Sequence, residues 1–370
     1  MPRCAPFPFD PAKFDCTHQV GGIQTALIDH PTPGGRAGEG GRLALVNTGS
    51  PLRFTVALDR GGDIVEAFYA AHSLAYLTAN GYKPASPAYH SGMDWLMGWP
   101  GGLVTTCGPQ YIGAAREEDG WKLGLHGHHS NTPAAVEAIL NPDPAGGIAD
   151  MRIVLQITDS RMFGPVVSVR RVIACRLGVP EIRIEDEVTN RGNQPAAHNW
   201  LYHINLGYPL LDQGARLVFR GRLWETWGRG NHIDDHPTPR KLDLAKNVPG
   251  PIPEHTGPGE CGMLLDPAAE RDGLCHVGMV NRRLGLGLEI IFHPRQLPRL
   301  ANWQHFGPRG SYVSGIEPFS GSLFGKARDK HRLTGQMIEP GETRRYQVTL
   351  RVLTTPDELT ALARRDGKVL

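Results

Sequence analysis

The sequence predicts an all-β fold, and three observations predict it. Glycine (46) and proline (31) together exceed one fifth of the 370 residues. Several segments alternate apolar and polar residues with a period of two. No strand–helix–strand alternation of the doubly wound kind is present. Glycine and proline supply the backbone angles that turns require and would interrupt long helices repeatedly. The segments between them are apolar and periodic, so the pattern is many short strands joined by turns rather than disorder.

In chain order, residues 1–41 read as an irregular N-terminal segment packed on the domain, and residues 42–370 as one β domain. Phe54, Val56 and Leu58 alternate with Arg53, Thr55 and Asp59, the signature of a half-buried strand. Met151, Ile153, Leu155 and Ile157 repeat it. A hairpin runs over 166–177, turns at Gly178-Val179-Pro180 and resumes with Ile182, Ile184 and Val188. Near the end Tyr346, Val348, Leu350 and Val352 alternate with Gln347, Thr349 and Arg351. Two long stretches, 80–131 and 228–260, carry little periodicity; the first, rich in aromatics, His and Gly, suits a binding surface, and the second reads as a lid or peripheral excursion. A single helix is plain: Thr355-Pro356-Asp357-Glu358 forms a capping box ahead of Leu359, Leu362 and Ala363.

Charge narrows the partners. With 21% charged residues scattered along the chain and a net charge of +2, there is no basic field for nucleic acid or an anionic membrane surface. The expected partner is a small molecule that is not strongly anionic. The start of the chain lacks the apolar run of a signal peptide, no segment is long enough to span a bilayer, and the six cysteines (Cys4, Cys16, Cys107, Cys175, Cys261, Cys275) form no CxxC or regular framework. These features lead to an expectation of a cytoplasmic protein with reduced thiols.

Four constellations could carry chemistry. Leu125-His126-Gly127-His128-His129 places three imidazoles in a loop, either converging on a ligand or bonding locally. In His198-Asn199-Trp200-Leu201-Tyr202-His203-Ile204-Asn205, alternation puts His203 and Asn205 on one face and Tyr202 and Ile204 on the other. The Gly207-Tyr208-Pro209 that follows is read as placing the polar pair near a sheet edge or mouth. Glu317 is read as closing an apolar strand that Pro318 stops, a way to aim a base into a pocket, with Trp303 and His305 upstream as flat rings for stacking or for the core. Asp59-Arg60-Gly61-Gly62-Asp63 could hold sugar hydroxyls through Arg60 and Asp63, or lock its own turn.

Together these motifs resemble the aldose 1-epimerase (galactose-mutarotase-like) superfamily. The fuller pattern resembles an uncharacterised domain-of-unknown-function branch of it: Asp-Arg-Gly-x-Asp-Ile at 59–64, Gly-Gly-Leu-x-Thr-Thr-Cys-Gly at 101–108, Leu-Tyr-His-x-Asn-x-Gly-x-Pro-Leu-Leu at 201–211 and Gly-Ile-Glu-Pro at 315–318. The likeness spans about 40–352. It implies a large antiparallel β-sandwich, with the site in the concave face of one sheet. It further implies His203 as general acid, Glu317 as general base and His126 as substrate ligand or partner to the acid. Substrate contacts are expected from Asp63, Arg60, His128, Asn205 and Trp303. In the mutarotases the histidine stands four residues before the Asn of its motif; His203 stands two before Asn205, a shift that keeps the same face.

The function implied is anomer interconversion of a non-phosphorylated sugar by a Glu and a His on opposite sides of the ring. No cofactor and no metal is expected, and the assembly is expected to be a monomer or homodimer. Two alternatives stand beside this reading. One is an epimerase or lyase acting on a keto-sugar or uronate, with a divalent metal held by the His-rich loop, His203 and Glu317. The other is a non-catalytic sugar-binding protein.

Overall fold

A computed structural model describes residues 9–28, 41–118, 120–325, 328 and 337–370. Two large antiparallel sheets are stacked face to face. The first runs, neighbour by neighbour, through Gly22–Ile28, Gly41–Asn47, Leu52–Ala57, Asp63–Tyr69, Val104–Cys107, Trp200–Leu206, Tyr312–Ser320, Arg299–Phe306, Cys261–Pro267 and Gly221–Gly228. The second runs through Ala134–Leu140, Asp150–Ser160, Val166–Arg176, Glu181–Asn190, Thr343–Leu353, Leu286–Phe292, Cys275–Asn281 and Arg216–Val218. This is the all-β, large antiparallel sandwich that the resemblance implied.

One continuous core fills the space between the sheets. Val56, Ile64, Tyr202, Ile204 and Ile316 come from the first sheet; Met151, Ile153, Val169, Ile184 and Val348 come from the second. The alternating segments therefore bury the residues that the period-two pattern selects, and the hydrophobic effect fixes which face turns inward. The C-terminal helix Pro356–Ala363 has both halves of its capping box, with the Thr355 side chain on the Glu358 N–H and the Glu358 carboxylate on the Thr355 N–H. Leu359 and Leu362 bury its inner face. No helix among the described residues is long and apolar enough to cross a membrane.

Four expectations need correction. The segment 1–41 is not irregular throughout, because Gly22–Ile28 pairs with Gly41–Asn47 along its full length. It is an edge strand that buries little beyond Gly22 and Ile23 and leaves Leu27 76% exposed, so it gives almost no periodic signal. The N-terminal residues 1–8 and most of the Gly-rich stretch, 29–40, lie outside the described residues. The stretch 80–131 contributes a central strand, Val104–Cys107, that is buried on both faces; a strand covered on both sides has no polar face to alternate with. The stretch 228–260 is no lid: Thr238 caps a short helix, and Ile233, Leu242, Val248 and His255 are buried against the body of the protein. Finally, neither His203 nor Glu317 sits at a sheet edge or strand end. Their strands are neighbours in the middle of the first sheet, and Tyr312–Ser320 continues through Pro318 to Ser320.

Candidate active site

The register of the central strands brings the chemistry together. Leu201 pairs with Phe319 and Ile204 with Ile316, so His203 lies opposite Glu317 on the neighbouring strand. Pro318 has no N–H, and the ladder between these two pairs is interrupted there. Tyr202 and Ile204 face the core, and alternation turns His203 and Glu317 to the other face of the sheet. His203 Nε2 is 3.4 Å from Glu317 Oε1, a contact not aligned as a hydrogen bond. His203 Nδ1 and Glu317 Oε1 have no hydrogen-bond partner among the described residues.

Glu317 needs room at its own foot. A Cβ at residue 315 would collide with its Oε1, so Gly315 lets the carboxyl fold back along the strand. Both groups are almost fully buried. Burial lowers the His203 imidazole to about 4. Burial, reinforced by the nearby Glu260 carboxylate, raises Glu317 well above the usual carboxylate range. Desolvation disfavours charge on each group, so burial pushes the pair toward a neutral imidazole beside a protonated carboxyl.

His126 joins them from the His-rich loop. Its ring meets that of His203 edge-on, with centroids 5.3 Å apart. Burial, then the proximity of His203, holds it well below the usual range for histidine, and its Nδ1 has no hydrogen-bond partner among the described residues. The backbone aims it: His126 has φ 60° and Gly127 φ 77°, both left-handed, while His128 and His129 each donate an N–H to the Gly108 carbonyl. A Cβ on Gly127 would sit 2.5 Å from the Tyr111 carbonyl oxygen, so only glycine fits the tight approach.

His126, His203 and Glu317 share a cavity of about 240 Å³ with Trp303. Three further tryptophans complete its walls: Trp95 and Trp99 from the stretch 80–131, and Trp227 from the edge strand Gly221–Gly228. The Trp227 ring lies where a side chain at Gly262 would otherwise project. Glu260 stands at the rim, accepting from Trp303 Nε1 at 2.7 Å and from Trp227 Nε1 at 3.3 Å. Trp95, Trp99, Trp227 and Glu260 were not among the residues picked from the sequence. Only the unusual number of Trp between 95 and 99 hinted at a wall.

Four candidate ligand residues lie elsewhere. Arg60 is buried, donating to the Lys83 carbonyl at 3.3 Å and to Asn131 Oδ1 at 3.4 Å, and so locks its turn. Asp63 faces inward, accepting from the Thr106 N–H at 2.9 Å beside Arg171; burial raises its carboxyl to about 7. Asn205 spends its amide on the Gly102 and His203 carbonyls. His128 points away from His126. It stacks on His90 with centroids 4.2 Å apart, contacts Tyr111 Oη at 3.0 Å and Asp159 at 3.3 Å, and lines a separate cavity of about 430 Å³. Among the described residues no three His, Cys, Asp or Glu side chains come together as a group that could hold a metal ion.

What the arrangement can do is transfer protons: a base and an acid in contact, in a cavity walled by flat rings.

Comparison with known proteins places the chain. Residues 38–352 match the family described as a domain of unknown function, DUF4432. Among solved structures, a putative aldose 1-epimerase from Klebsiella pneumoniae superimposes with a TM-score of 0.77 at 20% identity, covering 93% of this chain and 91% of that one. A galactose mutarotase-like protein from Clostridium acetobutylicum gives 0.60 at 11% identity, over 91% and 100%. Galactose 1-epimerase from Lactobacillus acidophilus gives 0.54 at 10%, over 90% and 99%. A search of curated proteins finds no match. Identities this low establish the shared sandwich and nothing finer.

Proposed function

The chain belongs to the DUF4432 family, and from that premise we propose that it is an isomerase that interconverts the anomers of a free, non-phosphorylated sugar, with His203 and Glu317 as the acid–base pair and His126 beside them on the substrate. The observation that carries this reading is the 3.4 Å approach of His203 Nε2 to Glu317 Oε1 in a cavity whose burial disfavours charge on both groups.

The chemistry needs a proton taken from the anomeric hydroxyl and another delivered to the ring oxygen. An acid and a base on opposite sides of the ring is the arrangement the resemblance implied, but a contact of 3.4 Å leaves no room for a ring between them. A pair on one side serves equally well, because both oxygens are bonded to the same carbon. At rest the shared proton is on Glu317. Its passage across the contact charges His203 and frees the carboxylate. Glu317 then takes the hydroxyl proton while His203 protonates the ring oxygen, and the C1–O bond to the ring breaks to give the open aldehyde. Rotation about the bond next to the aldehyde and the reverse proton transfers close the ring on the other face. Each positioned proton transfer contributes roughly 10²–10⁴-fold. The tryptophan walls offer faces for the sugar ring, and His126, which lines the same cavity, bonds a hydroxyl in this reading.

Saturation-transfer NMR on a panel of free reducing sugars is the test. The proposal expects exchange between anomers faster than the spontaneous rate for at least one of them. Sugar binding without any acceleration would make the protein a sugar-binding module instead.

A further inference from the structure

The pocket walls carry a consequence for the substrate, one that rests on the anomer-exchange reading. All four wall indoles have their N–H groups engaged: Trp95 with Ser130 Oγ at 2.9 Å, Trp99 with Thr105 Oγ at 2.9 Å, and Trp303 and Trp227 with Glu260. They present carbon, not donors, to whatever lies between them. The remaining described wall residues, among them Leu125, Leu323 and Phe324, are apolar as well. So is the lip, where Met93 is 56% and Leu96 43% exposed. Among the described lining residues, the side chains with polar atoms to spare are His126, His203, Glu317 and Glu260, and anomer exchange itself occupies His203 and Glu317. A hexose with a hydroxyl on every ring carbon would turn several of them against carbon. Each buried hydroxyl left unpaired is expected to lose affinity.

We infer that the pocket selects a hydroxyl-poor cyclic hemiacetal, a deoxy or O-methylated sugar, over the fully hydroxylated hexoses, because the side chains of its described lining residues bury ring faces and offer few hydrogen bonds to ring hydroxyls.

The test pairs each parent sugar with its own analogue: galactose with 6-deoxygalactose, glucose with 2-deoxyglucose, and glucose with 3-O-methylglucose. For each, catalysed anomer exchange is measured by NMR and binding by quenching of tryptophan fluorescence. The expected result is at least one analogue with kcat/KM about fivefold or more above its parent, the smallest factor that stranding one buried hydroxyl implies. The position that gains identifies the edge facing the walls, and separates a deoxy from a methyl preference. Parents that are turned over as well as or better than every analogue would overturn the inference while leaving anomer exchange intact. A binding preference for an analogue without exchange of any sugar would uphold the selection and overturn the proposed chemistry. Absence of both binding and exchange across the panel would overturn both.

Discussion

At the scale of single residues, the proposed site rests on a carboxyl and an imidazole that their neighbours bury almost completely. Gly315 is the smallest part of that arrangement and the easiest to test. Gly315→Ala puts a methyl where Glu317 Oε1 now lies. The yielding atom is the end of a side chain, so the fold should survive while the carboxyl swings away from His203. We expect anomer exchange to fall by about tenfold or more, the scale of a small misplacement at a reacting centre, with an unchanged urea midpoint. An unchanged rate would show that the carboxyl does not need its present place. Much of this was legible in the sequence. The alternation that set His203 apart from Tyr202 and Ile204 is the one the strand displays, and His126, His203, Trp303 and Glu317 were all picked out. Arg60, for which a turn-locking role stood open, Asp63 and Asn205 were the hard cases. A polar residue next to a glycine turn or on a strand looks alike whether it meets a ligand or a buried backbone group or ion-pair partner, and only the fold supplies those partners.

At the scale of elements, the decisive piece is the loop between Leu123 and Asn131. It turns His126 toward the pocket and His128 into a different cavity, although the two are separated by one residue. Spacing in a strand says which face a residue takes. Spacing in a loop with two successive left-handed residues says nothing about direction. Gly127→Ala would force its Cβ against the Tyr111 and Gly108 carbonyl oxygens at a φ of +77°. We expect a loss of about 1–3 kcal/mol in urea unfolding together with loss of anomer exchange, since His126 moves with the loop. A variant with both properties intact would show that the loop conformation is not what positions His126. The strands were legible wherever one face is wet, as in Asp150–Ser160 and Thr343–Leu353. They were hidden where both faces are covered, as in Val104–Cys107, or where neither is, as along most of Gly22–Ile28.

At the scale of the whole molecule, the stacked sheets bury histidines that must stay uncharged. His198 is the clearest case. Its Nδ1–H donates to the Pro109 carbonyl at 2.9 Å and its Nε2 accepts from the Tyr346 hydroxyl at 2.7 Å, a neutral tautomer held between two elements far apart in sequence. Burial lowers it to about 4 from an ordinary 6.5. The unfolded chain takes up this proton as pH falls through 6.5 and the folded chain does not until about 4. Stability on this account is therefore full above pH 6.5 and is lost as pH falls toward 4. Those 2.5 pH units correspond to at most about 3 kcal/mol. Between pH 6.5 and 4, the parent protein should lose up to that much more unfolding free energy than His198→Gln. Equal losses in the two proteins would contradict it. The molecule's class was legible because turns and alternation are local. The cavity was not, because its walls come from many separate parts of the chain between Met93 and Phe324.

The measurement that bears most directly on the central claim is anomer exchange in Glu317→Gln, read by saturation-transfer NMR on a sugar the parent protein turns over, with binding followed in parallel by tryptophan fluorescence. Gln keeps the shape and removes the exchangeable carboxyl proton. The account predicts exchange slower by roughly 10²–10⁴-fold with binding retained. Exchange at the parental rate would take Glu317 out of the chemistry, and the His203–Glu317 pair with it.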